Sequence, residues 1–202
     1  FPENTIEAFK GAVERSADRI EFDVHMTRDK QFVIHHDYYL GKTDNGEGLI
    51  YEKNLEYIQT LDVGSWYGSK FAHTKMPTLE KVFDTFRNTI DYEIEIKGFT
   101  VEFLQSLLDL VDKYNVLNNI EFTTNPNYLI YTLKKIKPEA KTGVFLTNYP
   151  VWMTPDLGEK MILENLTLGN VNVAHCPISI LNEEFIVKLR SRGISVHAAD
   201  CD

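Results

Sequence analysis

The amino-acid sequence predicts an α/β domain built on a parallel sheet, and two observations carry that prediction. Short apolar strands alternate with amphipathic helices along most of the chain, and the connections between them are short. That alternation implies right-handed βαβ units, closed as a barrel or open and doubly wound. At 202 residues the chain is long enough for one domain with a single substantial core.

Each element has its own justification. Strands are expected at 19–25, 92–97, 119–124, 142–146, 171–175 and 194–199, where short runs of apolar and β-branched residues recur. Helices are expected at 100–114, 126–136, 156–163 and 182–192. In the last of these Phe185, Ile186 and Leu189 form an apolar stripe and Gly193 supplies the stop. The chain opens on Pro2-Glu3-Asn4-Thr5 ahead of Ile6, Phe9 and Val13, so a first helix is expected there, with Asn4 as its cap and Glu7 completing a capping box. This start reads as a helix signal and not as a signal peptide. Six barrel-type strands are counted where a closed eight-fold barrel needs eight, and the chain stops on Asp202 just past a strand. The expectation is one domain over 1–202, with residues 38–77 as an insertion. That stretch is rich in Gly, Asn, Asp and Tyr and contains the turn signal Asp44-Asn45-Gly46.

Composition narrows the function. The formal net charge of −9 argues against a nucleic-acid or anionic-membrane partner, which calls for a basic face. It suits carboxylates gathered around a divalent cation. No apolar run approaches the ~20 residues of a membrane-spanning helix. Cys176 and Cys201 fit neither a disulfide framework nor a CxxC site and are expected to be buried thiols, which points to a reducing, cytoplasmic setting.

The chemistry is concentrated on two strands. In Glu21-Phe22-Asp23-Val24 the period of two places Glu21 and Asp23 on one face and the apolar pair on the other. Glu93, Glu95 and Lys97 repeat the arrangement, with Tyr92, Ile94 and Ile96 opposite. Acidic side chains facing a barrel interior are costly to desolvate unless neutralised, and a hard cation such as Mg²⁺ or Ca²⁺ prefers carboxylate oxygens. Strands with acids facing water would show the same alternation, but two matching strands plus a lysine favour a site. After the polar residues 28–31, Val33-Ile34-His35-His36-Asp37 is expected to fold back as a hairpin beside Glu21 and Asp23. That would bring a histidine into position as general acid, general base or metal ligand, with Asp37 to orient it.

These segments, taken in order, resemble the glycerophosphodiester phosphodiesterases. The resemblance runs through Pro2-Glu3-Asn4-Thr5, Glu21-Phe22-Asp23-Val24-His25-Met26-Thr27-Arg28-Asp29 and His36-Asp37. It continues through Asp44-Asn45-Gly46-Glu47-Gly48, residues 61–68, Pro77-Thr78-Leu79-Glu80 and Glu93-Ile94-Glu95-Ile96-Lys97. From about Lys113 it is topological only. The resemblance implies a TIM-type (β/α)8 barrel, here lacking the first and last strands, with a small insertion after the second strand and the site at the C-terminal ends of the strands. It implies that Glu21, Asp23 and Glu95 hold Mg²⁺ or Ca²⁺, that His36 is one of two catalytic histidines, and that Lys97 and Lys42 contact the substrate. The expected reaction converts glycerophosphocholine or glycerophosphoethanolamine to sn-glycerol 3-phosphate and an alcohol. Alternatives are a lysophospholipase D or sphingomyelinase D-like activity on lipids, with Tyr38, Tyr39, Trp66, Tyr67 and Phe71 as an apolar groove, and a catalytically degenerate phosphodiester-binding barrel.

Three departures from the family pattern stand out. The family's His-Arg pair precedes the Pro-Glu-Asn-Thr segment, whereas this sequence is written from Phe1. Lys42-Thr43-Asp44 stands where the family has Arg-Thr-Thr, keeping the charge but losing the fork that binds phosphate bidentately. Ala199-Asp200-Cys201-Asp202 replaces a Trp-Thr-Val-Asn run.

Overall fold

The structure is a computed structural model that describes residues 1–124 and 128–199. It divides into two compact units, Phe1–Ile120 and Glu121–Asp202. The expectations placed on Cys201, on residues 200–202 and on the start of the helix at 126 lie outside the described residues.

In the first unit α1 (Ile6–Glu14) leads into β1 (Arg19–Met26), and β2 (Phe32–Ile34) folds back on it. The hairpin expected before His35 is present: β1 and β2 pair antiparallel, with Val24 opposite Ile34. The excursion then contains the two-stranded ribbon β3 (Tyr39–Leu40) and β4 (Gly48–Leu49), followed by the single turn α2 (Leu55–Ile58). It has its own small core, in which Leu40, Ile50, Ile58, Leu61, Val63 and Met76 pack on Val33. Gly64 is needed where this loop tightens, because a Cβ there would lie 2.1 Å from the Phe71 carbonyl oxygen. The chain returns through α3 (Leu79–Phe86) to β5 (Asp91–Ile96) and α4 (Val101–Tyr114). β1 and β5 are parallel neighbours.

Hydroxyl caps set the helix starts. Thr78 accepts from the Lys81 N–H at 3.1 Å and Thr100 from the Phe103 N–H at 3.1 Å. The cap of α1 is Thr5, which accepts from Ala8, and not Asn4. Asn4 instead takes a left-handed conformation, φ 55°, which Asn tolerates, and its amide is committed elsewhere. The apolar faces of β1 and β5 meet as the period of two predicts. Phe22 packs on Phe9 and Tyr92, and Phe22, Val24, Tyr92, Ile94 and Ile96 are buried.

The second unit alternates β6 (Ile120–Thr124), α5 (Tyr128–Ile136), β7 (Lys141–Phe145), α6 (Pro155–Leu168), β8 (Val173–Pro177), α7 (Glu183–Arg190) and β9 (Ser195–Ala199). Its strands pair parallel in chain order. Ile130, Val144, Leu163, Leu166, Phe185 and Leu189 are among the residues of its core. Helix α6 runs beyond the expected residue 163 because Leu166 continues its buried face, and it stops at Gly169 with Asn170 at φ 49°. Gly193, at φ 74°, follows α7 as expected. Cys176 is buried, which pushes its thiol up to about 11.

Candidate functional site

The parallel register of β1 and β5 fixes the site. Glu21 lies opposite Glu93 and Asp23 opposite Glu95, so the two acidic faces form one surface. Glu21, Asp23 and Glu95 each offer a carboxylate oxygen, and these oxygens lie within 4.8 Å of one another. Lys97, the next residue on that face, puts its Nζ 2.9 Å from Asp23 Oδ1 and 2.6 Å from Glu95 Oε1. Behind them Arg19 pairs with Glu93 at 3.6 Å.

Crowded carboxylates perturb one another. Burial, then the charges of Asp23, Glu93 and Glu95, push the Glu21 carboxyl up from 4.5 to about 8, with Lys97 opposing. The Glu21 side chain is nonetheless open to solvent, which screens part of that repulsion. Lys97 is partly buried, which alone would lower it, but its contacts with Glu95 and Asp23 raise it overall. Three convergent carboxylates with an excess of negative charge suit an oxygen-preferring divalent cation.

Asn4 is a member of this site that sequence reasoning assigned to a helix cap. Its Nδ2 donates to Asp23 Oδ2 at 3.0 Å, and its Oδ1 accepts from the Asp23 N–H at 3.4 Å. That holds the second Asp23 oxygen while the first faces Lys97.

The two adjacent histidines part company. The His35 N–H donates to the Asp23 carbonyl, which ties this segment to the site. The His35 ring is buried, with Nε2 3.0 Å from Asp44 Oδ2 and Nδ1 2.9 Å from the Asp37 carbonyl oxygen. Burial disfavours its charged form, but the bonds to Asp44 and Asp37 outweigh this and raise it. Asp44 also accepts from the N–H groups of Gly41 and Gly46. His36 is instead half-exposed, with Nδ1 3.0 Å from Asp37 Oδ1. Lys42 reaches the other Asp37 oxygen at 3.1 Å. The structure therefore brings Glu21, Asp23, Glu95 and Lys97 into one cluster and gathers His36 and Lys42 around Asp37.

A cavity of about 290 Å³ opens beside Lys97, lined by His25, Tyr38, Tyr51, Phe99 and Phe103 among others. Tyr38 stacks on Phe99 at 5.4 Å, and the His25 ring stands edge-on to Tyr38 at 5.1 Å. Burial and then the neighbouring His35 push His25 down to about 4, so it is neutral near pH 7.

A model of the glycerophosphoryl diester phosphodiesterase family matches residues 1–198. The chain belongs to that family. A glycerophosphodiester phosphodiesterase of Caldanaerobacter subterraneus subsp. tengcongensis is 38% identical over 148 residues, covering 71% of this chain and 60% of the relative. One of Bacillus subtilis is 27% identical over 210 residues, covering 97% of this chain and 71% of that protein. The chain thus spans about 60% of the length of the first relative. An Oleispira antarctica phosphodiesterase solved with its product sn-glycerol-3-phosphate covers all of this chain and 80% of its own, with a TM-score of 0.86 at 23% identity. That likeness shows the fold: the α/β architecture is that of the family's solved structures, as the TIM-type expectation required. Among the described residues no helix is long and apolar enough to cross a membrane.

Proposed function

We propose that this site hydrolyses glycerophosphodiesters to sn-glycerol 3-phosphate and an alcohol. The observation that carries the reading is the cluster of Glu21, Asp23 and Glu95 with Lys97 at its edge, inside a member of the glycerophosphoryl diester phosphodiesterase family. The product seen in the Oleispira antarctica neighbour supports the substrate class. Glu21, Asp23 and Glu95 would hold a divalent cation, Mg²⁺ or Ca²⁺. When bound, that cation offsets charge building on the phosphate oxygens.

The remaining steps belong to the chain's own side chains. Lys97, already anchored by two carboxylates, presents its ammonium to a phosphate oxygen. Asn4 keeps Asp23 in one orientation. His36, fixed through Nδ1 by Asp37, has Nε2 for proton transfer: it takes a proton from the attacking water or hydroxyl, or gives one to the departing alcohol oxygen as the P–O bond breaks. Lys42, through Asp37, adds positive charge next to His36. The aromatic cavity beside Lys97 receives the alcohol substituent. Its apolar lining also fits a lysophospholipid, which is the second reading; relative rates on glycerophosphocholine and lysophosphatidylcholine separate the two. Glu95→Gln should abolish release of sn-glycerol 3-phosphate, and retained turnover would overturn the assignment.

A further inference from the structure

The second unit contains a polar cluster that the proposed hydrolysis does not use. Glu121 on β6, His175 on β8 and His197 on β9 each offer one ligand atom, and these atoms lie within 4.8 Å of one another. Parallel pairing sets His175 directly opposite His197, so both side chains leave the same face of neighbouring strands. Their rings stand perpendicular, with centroids 5.0 Å apart. Phe145 packs against His175 at 4.7 Å and fixes its orientation. His175 Nε2 lies 2.8 Å from Glu121 Oε1. Glu121 and His175 are buried, and His197 is partly buried.

Space for this trio is kept by a glycine. A Cβ on Gly143 of β7 would sit 2.6 Å from Glu121 Oε1 and 2.7 Å from His175 Nε2. Any larger residue would close the gap between the two.

We propose that Glu121, His175 and His197 form a second cation site, selective for a borderline ion such as Zn²⁺. Two imidazole nitrogens and one carboxylate oxygen are a donor set that favours zinc-like ions, whereas the all-carboxylate set of the first unit favours Mg²⁺ or Ca²⁺. Ligand bonds of ~2.0–2.2 Å place donors roughly 3.4 Å apart in a tetrahedral site, so modest rotamer adjustment closes the trio on an ion. Water completes the coordination. The ion enters between His175 Nε2 and Glu121 Oε1, which meet directly at 2.8 Å, and braces β6, β8 and β9. Lys141, whose Nζ is 3.0 Å from Glu121 Oε2, balances that carboxylate without metal, and its half-exposed side chain can swing into solvent. The rival account is a Lys141–Glu121–His175 charge network that binds no metal.

Co²⁺ and Zn²⁺ titrations of chelator-treated protein discriminate the two. Each is done in the parent and in Glu95→Gln, which weakens the carboxylate site. Co²⁺ should give visible bands of low coordination number, and Zn²⁺ should displace them at one equivalent in both proteins. His197→Gln or His197→Asn should weaken that Zn²⁺ binding at least ~10-fold while leaving metal-free thermal unfolding close to parent. Gly143→Ala should weaken it too. Absence of Co²⁺ bands, or Zn²⁺ binding unchanged in both His197 variants, would establish the charge network and overturn the proposal.

Discussion

Replacing Lys97 with Met removes a cation that touches both Asp23 and Glu95 while keeping most of the length of the side chain. Its two contacts, at 2.9 and 2.6 Å, join side chains only 10%, 3% and 17% exposed, so solvent screens them weakly. At an effective dielectric of about 20, each contact corresponds to an attraction of about 6 kcal/mol, most of which offsets desolvation. Removing one partner leaves the other charges uncompensated, at a cost of about 3–5 kcal/mol. For a chain of this size that lowers the Tm by about 6–20 °C. The loss should appear in full in EDTA and shrink in millimolar Mg²⁺, because a cation on the carboxylates replaces the missing charge. Thermal unfolding by circular dichroism, with and without metal, measures both. A Tm within about 2 °C of parent in EDTA, or a deficit that Mg²⁺ does not narrow, would show that Lys97 does not neutralise these carboxylates.

Other consequences can be checked independently. Glu21, raised from 4.5 to about 8, holds a proton in the folded metal-free protein across a window where the unfolded chain has lost it. Metal-free stability should therefore fall as pH rises from about 4.5 to 8, and Glu21→Gln should flatten that slope in pH-dependent unfolding. In the same window metal binding should release close to one proton, measured by calorimetry in buffers of different ionisation enthalpy, with release lost in Glu21→Gln. Asp44→Ala strips the buried His35 of its charge partner and the partly buried Gly46 N–H of its acceptor, costing about 3–5 kcal/mol in denaturant unfolding. His35 is raised and Asp44 lowered, so their coupling is fully present between about pH 3.8 and 6.5 and lost above the folded-state value of His35; a double-mutant cycle should be larger at pH 6 than at pH 9. Phe99→Ala opens the cavity beside Lys97 and should raise KM for glycerophosphocholine more than it lowers kcat.

The acidic face was legible because a strand has a fixed period of two. Once Glu21 and Asp23 share a face and Glu93 and Glu95 share another, parallel pairing of the two strands is enough to bring them together. The hairpin before His35 followed from the polar break at 28–31. Adjacent histidines gave no such guidance, since neighbouring residues on an extended chain leave opposite faces, and only the fold decides that Asp44 claims His35 and leaves His36 open. Asn4 was misassigned because a Pro-Glu-Asn-Thr start matches a cap signal locally, while its bond to Asp23 spans 19 residues. Helix α3 and the full length of α6 were also missed: α3 follows immediately on the excursion, whose turn-rich composition masks its start, and in α6 the polar residues Glu164, Asn165 and Thr167 surround Leu166, which continues the buried face one turn past Leu163. The cluster of Glu121, His175 and His197 depends on residues from three strands, the first two of them 54 residues apart, and no local pattern announces it.

The central claim is that the Glu21, Asp23 and Glu95 cluster supports phosphodiester hydrolysis in this chain's fold. The most direct test is enzyme-coupled detection of sn-glycerol 3-phosphate from glycerophosphocholine by the full-length protein, in Mg²⁺ or Ca²⁺ and in EDTA, for parent and Glu95→Gln. The parent should form product with metal, with at least a ~100-fold loss in EDTA and in the variant. Equal product formation in EDTA or by Glu95→Gln would contradict it.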